Sequence, residues 1–238
     1  MKAAVGSILY CVLLLCTMMS RRGCDASATS NLVVGEVDVE AAFAASSAFT
    51  IPPAALVART KEVLSPDIAF GTKDDGKCLA EEFEFVAAVV GPINKTEYLA
   101  ALETFQLDDS FEIAQNFFGF TVDPLQTNRV YFFSRQIAQH TKQDFMGVKP
   151  TGKELILPPQ TFHVDYNEQG LITELGFYTV DRRQGNTGGL GGAFGYFYGV
   201  GKPLPFPECQ PFKGSLRFRG LMMIGNIVKK VQSMMPTK

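Results

Sequence analysis

Asp181 follows Phe177, Tyr178 and Val180, bulky neighbours that could strip water from its carboxyl. Desolvation disfavours the charged form, so the pKa of such a group climbs toward neutrality, as general acid–base catalysis requires. A carboxyl of this kind moves a proton beside a carbonyl or opens a ring, and Asp181 is the first candidate for that work. The plainer reading makes it an exposed aspartate that pairs with Arg182 or Arg183, or caps the turn behind it. His140 and His163, the only two histidines, are the next candidates. For each, the plainer reading is a half-buried ring bonded to a neighbouring carbonyl. Tyr131, Arg135 and Tyr178 carry donors for a substrate carbonyl or enolate, with Phe177 beside them on the apolar side.

Of the five cysteines, Cys11, Cys16 and Cys24 lie in an N-terminal leader. Cys78 and Cys209 are enough for one disulfide in an oxidising compartment. Neither has Cys or His at metal-ligand spacing, and neither a metal nor a cofactor is expected.

These residues need elements to hold them. "PPAALVARTKEVLSPDIAF" predicts a helix opened by Pro52-Pro53 and closed near Ser65-Pro66. "EEFEFVAAVV" reads as a strand, and Asn94 with Glu97 forms a capping box for a second helix with Tyr98, Leu99, Leu102 and Phe105 on its buried side. Asn94-Lys95-Thr96 is also a glycosylation sequon, which competes with the cap for the same side chain. Only strands and turns follow, and "NRVYFFSRQIAQHTKQDFMG" reads as one long strand. Its two faces are Val130, Phe132, Ser134, Gln136, Ala138 and His140 against Tyr131, Phe133, Arg135, Ile137 and Gln139. Helices first and antiparallel strands after is an α+β pattern, with the helices on one face of a curved sheet. It lacks the βαβ alternation of nucleotide-binding folds.

The glycine-rich segment from Asp181 to Glu208 does not restore that reading. From Gly189 and Gly191 the dinucleotide spacing reaches Phe194 instead of a third glycine, and Gly201-Lys202 is followed by Pro203. The segment is expected to turn sharply, plug the sheet with Phe194, Tyr196, Phe197 and Tyr198, and lid the pocket beside Asp181. Beyond it, residues 215–235 form a basic amphipathic helix. Packing back on the domain, a homodimer contact and peripheral membrane contact are its alternatives.

Lys2 and the apolar run 3–19 mark a signal peptide, residues 1–26, cleaved before Ser27, with an uncleaved membrane anchor as the alternative reading of the run. Residues 27–49 read as an acidic linker or propeptide, 50–182 as the folded domain and 183–238 as an extension with its helix. The leader implies entry to the secretory pathway and a secreted or lumenal protein. "ASSAF", residues 45–49, resembles the motif of two-part algal plastid leaders, which makes a plastid the alternative. Charge is divided: residues 27–120 carry 15 acids and 5 cations, and residues 121–238 carry 8 acids and 14 cations. No basic cluster is interleaved with aromatics, so nucleic acid is not an expected partner.

The order of elements resembles the NTF2-like cone, and "SPDIAF", "GPINKTEYLAAL", "HTKQDFMGVKPTGKEL" and "FHVDYNEQGLITELGFYTVD" sharpen the resemblance to its SnoaL-like, polyketide cyclase-like branch over about residues 50 to 182. The resemblance implies a cone with an apolar pocket at its wide end and a small apolar molecule within it. It implies cofactor-independent isomerase, cyclase or hydrolase chemistry, with Asp181 at the acid–base position and His140 at the histidine of the strand-to-turn motif. A carrier or scaffold without catalysis is the alternative, since this fold hosts many functions. The chain has no tryptophan, although many relatives carry one in the last strand.

Overall fold

The computed structural model describes residues 36–45, 49–88, 90–105 and 107–234. The expected signal peptide and residues 27–35 and 46–48 of the linker lie outside these residues. Within the linker, α1 (Val39–Ala45) is helical and its Phe43 packs on the core. Helix α2 (Pro53–Val63) starts with Pro52 extended and Pro53 at its first position, where a proline's missing N–H costs nothing. Its buried stripe is Leu56, Thr60 and Val63. The chain then makes a left-handed turn at Ala69, Phe70 and Gly71, with φ of 46°, 55° and 93°. That conformation suits glycine and strains the other two. The Phe70 ring lies 6.4 Å from Phe132 and 6.3 Å from Phe162, roughly parallel to both, which offsets the strain.

Strands β1 (Leu79–Ala87) and β2 (Ile93–Asn94) lead to α3 (Lys95–Phe105). The capping box is present: Glu97 N donates to Asn94 Oδ1 over 3.0 Å, and Asn94 N donates to Glu97 Oε2 over 3.1 Å. After the short α4 (Leu107–Ser110) come β3 (Phe111–Ala114), β4 (Phe117–Val122), β5 (Arg129–Ser134), β6 (Ile137–His140), β7 (Glu154–Ile156), β8 (Gln160–Tyr166) and β9 (Ile172–Thr179). They form a six-stranded sheet in the order β2-β1-β9-β8-β5-β4 and a three-stranded one in the order β3-β6-β7. Pairing is antiparallel except between β1 and β9, the first and last strands, which lie side by side and parallel. The expected α+β class holds, with a mixed sheet in place of a wholly antiparallel one.

The long strand is not continuous. It breaks at Arg135-Gln136, and its neighbours break level with it, at Gln115-Asn116 between β3 and β4 and at Leu157-Pro158-Pro159 between β7 and β8. Asn116 is left-handed, with φ of 48°, and the two prolines have no N–H to give the ladder. Bonds run along this crease: Ser134 Oγ to Gln115 O (2.6 Å), Asn116 Nδ2 to Arg135 O (2.9 Å) and Leu157 N to Gln136 O (3.0 Å). The alternation survives it, since Val130, Phe132, Ser134, Ala138 and His140 are all buried.

Each side of the crease has its own core. One gathers Leu56, Phe83, Val130, Phe132, Val164 and Tyr166. The other gathers Phe111, Ala138, Phe145, Leu155, Tyr196 and Phe197. The last two belong to α5 (Gly192–Gly199), a helix inside the glycine-rich segment where none was expected. Glycine disfavours helix by about 1 kcal/mol per residue, so packing must carry it. A Cβ on Gly195 would stand 2.6 Å from Leu190 O, and one on Gly199 2.6 Å from Leu155 Cδ2. Bare backbone therefore lets α5 lie directly on β7.

The final helix, α6 (Leu216–Met234), does not pack back on the domain: every residue from Leu216 to Ile227 is exposed. Cys78 and Cys209 are both buried free thiols and are not joined, although the two were enough for one disulfide. Cys78 lies in the first core, where burial, with Asp74 beside it, pushes its thiol up to about 12.

Candidate functional site

Alternation along β5, β8 and β9 decides which way each candidate residue points. Phe162, Val164 and Tyr166 face the helices, so His163 and Asp165 face the opposite side. The register sets Tyr131 and Gly176 beside His163, and Arg129 and Glu174 beside Asp165. On this outer face Arg129 grips Asp165 in a two-pronged pair, with Nη2 2.7 Å from Oδ2, and the same Nη2 reaches Glu174 Oε1 at 2.9 Å. His163 Nε2 donates to Glu174 Oε1 over 2.7 Å. Its ring lies 6.0 Å from Tyr178 and 6.2 Å from Tyr131. A Cβ on Gly176 would overlap that ring, so the glycine makes the histidine's place. The His163 bond, with Arg129 assisting, holds the Glu174 carboxyl below its ordinary value. Burial raises Asp165 despite its bond to Arg129. With each charge partnered, the cluster ties three strands together.

Asp181 does not have the environment predicted for it. Its carboxylate takes Arg183 Nε at 2.8 Å, Arg183 Nη2 at 3.0 Å and Gln184 Nε2 at 3.1 Å, and it also accepts the backbone N–H of Arg183. The Arg183 guanidinium and these N–H groups hold its pKa well below the carboxylate range, opposite in direction to the expected rise. Arg135 is drawn into the same surface group, since its Nη1 donates to Gln184 Oε1 over 2.8 Å. His140 is fully buried in the second core, 4.8 Å from the Phe111 ring, with Nε2 3.1 Å from Gln143 O. Phe177 points inward and stacks 5.7 Å from Phe162. The predicted residues thus fall into separate places: Tyr131, Tyr178 and His163 on the outer face, Asp181 and Arg135 on the surface, and His140 and Phe177 in the interior.

The cavity lies elsewhere. A hollow of about 700 Å³ opens between the end of α2, the left-handed turn, α3, α4 and the crease. Phe70, Tyr98, Leu99, Leu102, Phe105, Ile113 and Phe117 give it apolar walls. Gln115 and Gln136 bring polar atoms to it from the crease, with Gln136 Nε2 donating to Gln115 Oε1. That bond engages one polar atom of each amide, leaving Gln115 Nε2 as a donor and Gln136 Oε1 as an acceptor for other partners. Glu103, Asp108 and Asp109 give the lining negative charge, with Lys73 as its cation. No part of the glycine-rich segment lines the hollow, so α5 covers the second core and does not lid this site. Among the described residues no group of three or more His, Cys, Asp or Glu side chains could hold a metal.

The sheet order, the helices on its inner face and the hollow at its bend decide the architecture. The fold is α+β, a bent mixed sheet with helices on one face. No family model matches the chain, and no curated protein matches it. Among solved structures it is similar to a candidate polyketide cyclase from Xanthomonas campestris pv. campestris, with 18% identity over 52% of this chain and 86% of that one and a TM-score of 0.39. A candidate SnoaL-like polyketide cyclase from a Jannaschia species gives 17% identity, 52% and 85% coverage and 0.38. An LEH-like epoxide hydrolase of M. tuberculosis gives 9%, 53% and 83%, and 0.37. At these TM-scores the superpositions carry no argument of their own. The SnoaL-like, NTF2-like resemblance is the one carried by the sequence motifs between Ser65 and Asp181.

Sequence reasoning missed Gln115, Gln136 and Phe70. Glutamine in a strand reads as an ordinary exposed residue, and the role of these two comes from a bend that no periodicity marks. The left-handed turn at "AFG" had one visible signal, Gly71, too common to single out.

Proposed function

We propose that the chain binds a small, largely apolar, flat molecule carrying a carbonyl beside a hydroxyl, and that it does so in the hollow without catalysing acid–base chemistry through Asp181. The observation that carries this reading is the pairing of aromatic and aliphatic walls with the amide donor and acceptor of Gln115 and Gln136. Apolar walls with fixed polar groups, in a hollow of this size, are what small-molecule sites present. The absence of catalysis by Asp181 is supported by its clamp to Arg183, which keeps it ionised and unable to supply a proton near neutral pH. The acidic lining disfavours anionic ligands.

Calorimetric titration with a hydroxynaphthoquinone as probe tests this. Gln115→Leu or Gln136→Leu should weaken binding about tenfold, the worth of one hydrogen bond in a partly buried site. Asp181→Asn should leave affinity unchanged. Probe binding that both glutamine variants leave intact, or probe conversion that Asp181→Asn abolishes, would overturn the proposal.

A further inference from the structure

Leu216 (78% exposed), Met223 (67%), Ile224 (60%) and Ile227 (54%) stand in solvent on α6, a density of bare apolar surface that monomers rarely carry without a partner. At about 100° per residue, Leu216, Gly220, Leu221, Met223, Ile224 and Ile227 fall within one arc of about 160°, interrupted by Arg217. Arg219 and Asn226 lie on the other side, together with Phe218 and Met222. The helix is marginal alone: Gly220 and Gly225 each disfavour it, and a Cβ at either would meet nothing within 4 Å. Neither glycine is needed for a contact within the described chain.

Charge selects the partner. Residues 209–238 hold six cations and no acid, whereas residues 1–208 hold 24 acids and 16 cations. Pairing α6 with the α6 of a second copy would set cations against cations. A bilayer rich in anionic headgroups meets α6 with opposite charge and repels the rest of the chain. No helix among the described residues is long and apolar enough to cross a membrane, so α6 would lie in the plane of the interface. We infer that α6 docks the protein on an anionic lipid surface, its apolar arc among the acyl chains and its cations at the headgroups.

The chain has no tryptophan, so Ile224→Trp supplies a single fluorescent reporter on the apolar arc. With the full chain, its emission should shift to the blue on phosphatidylcholine vesicles containing phosphatidylserine and stay unchanged on phosphatidylcholine alone. In flotation with the same vesicles, Arg217→Gln with Arg219→Gln should weaken binding about 25-fold, from about fivefold per cation near the surface. Ile224→Asp should abolish binding while circular dichroism of the folded domain is retained. Equal binding to both vesicle types, or binding that the arginine pair leaves intact, would place the contact elsewhere, such as the apolar run 3–19, and overturn the inference. A dimer in native mass spectrometry that Ile224→Asp splits, with no shift on vesicles, would overturn it in favour of a second copy.

Discussion

A carboxylate works as a general acid only where its surroundings disfavour its charge, and the three carboxylates on or just after β8 and β9 differ on this point. Asp181 is held ionised by Arg183, Glu174 by His163 and Arg129, and Asp165 alone is raised by burial. Glu174 gives a clear test. Its folded pKa lies below the unfolded one, so its stabilisation is fully present above the ordinary carboxylate value and is lost as pH falls through the folded value. Glu174→Gln should therefore cost about 1–2 kcal/mol near neutral pH, discounted for its partial exposure, and the gap should close in acid. Urea melts of both proteins across the acid range would show it; a gap that stays constant with pH would mean that the carboxylate's charge contributes nothing. Gly176→Ala should perturb the same place, because the added methyl drives His163 away from Glu174.

At the scale of elements, α5 shows packing overruling propensity. Its glycines disfavour a helix, yet the register of Gly195 and Gly199 on Leu157 and Leu155 requires them. Gly195→Ala should destabilise the protein by about 1–3 kcal/mol, although alanine is the better helix former, because the neighbouring Leu190 carbonyl is fixed. The adjacent Tyr196 should behave in the opposite way. It is fully buried and its hydroxyl has no hydrogen-bond partner, so Tyr196→Phe should leave stability unchanged or raise it. Thermal melts of the two variants should move in different directions or by very different amounts. A Gly195→Ala protein as stable as the parent would show that α5 can lift from β7 at little cost.

For the whole molecule, what the sequence revealed and what it hid divide along physical lines. Helix α2, the capping box of Asn94 and Glu97 and the two faces of the long strand were legible, because each depends on residues close in sequence. The break at Arg135-Gln136 was not, since it is made by partners about 20 residues away, Gln115 and Asn116, and by the prolines beyond β7. The candidate site was hidden for the same reason. Asp181 was visible as a carboxyl beside aromatics, but Arg183, visible only as one alternative partner, turned out to set its chemistry. The hollow, by contrast, is assembled from five separate elements.

The crease has one further consequence, for motion. Two cores joined along a line of broken strands can open separately, so amide exchange should show β3, β6, β7 and α5 exchanging as one group, ahead of β5, β8 and β9. Phe105 and Ile113 line the hollow and pack on the second core, while Tyr98 and Phe117 line it and belong to the first. A molecule bound there would splint the two halves, and its presence should be readable as slowed exchange in strands it never touches.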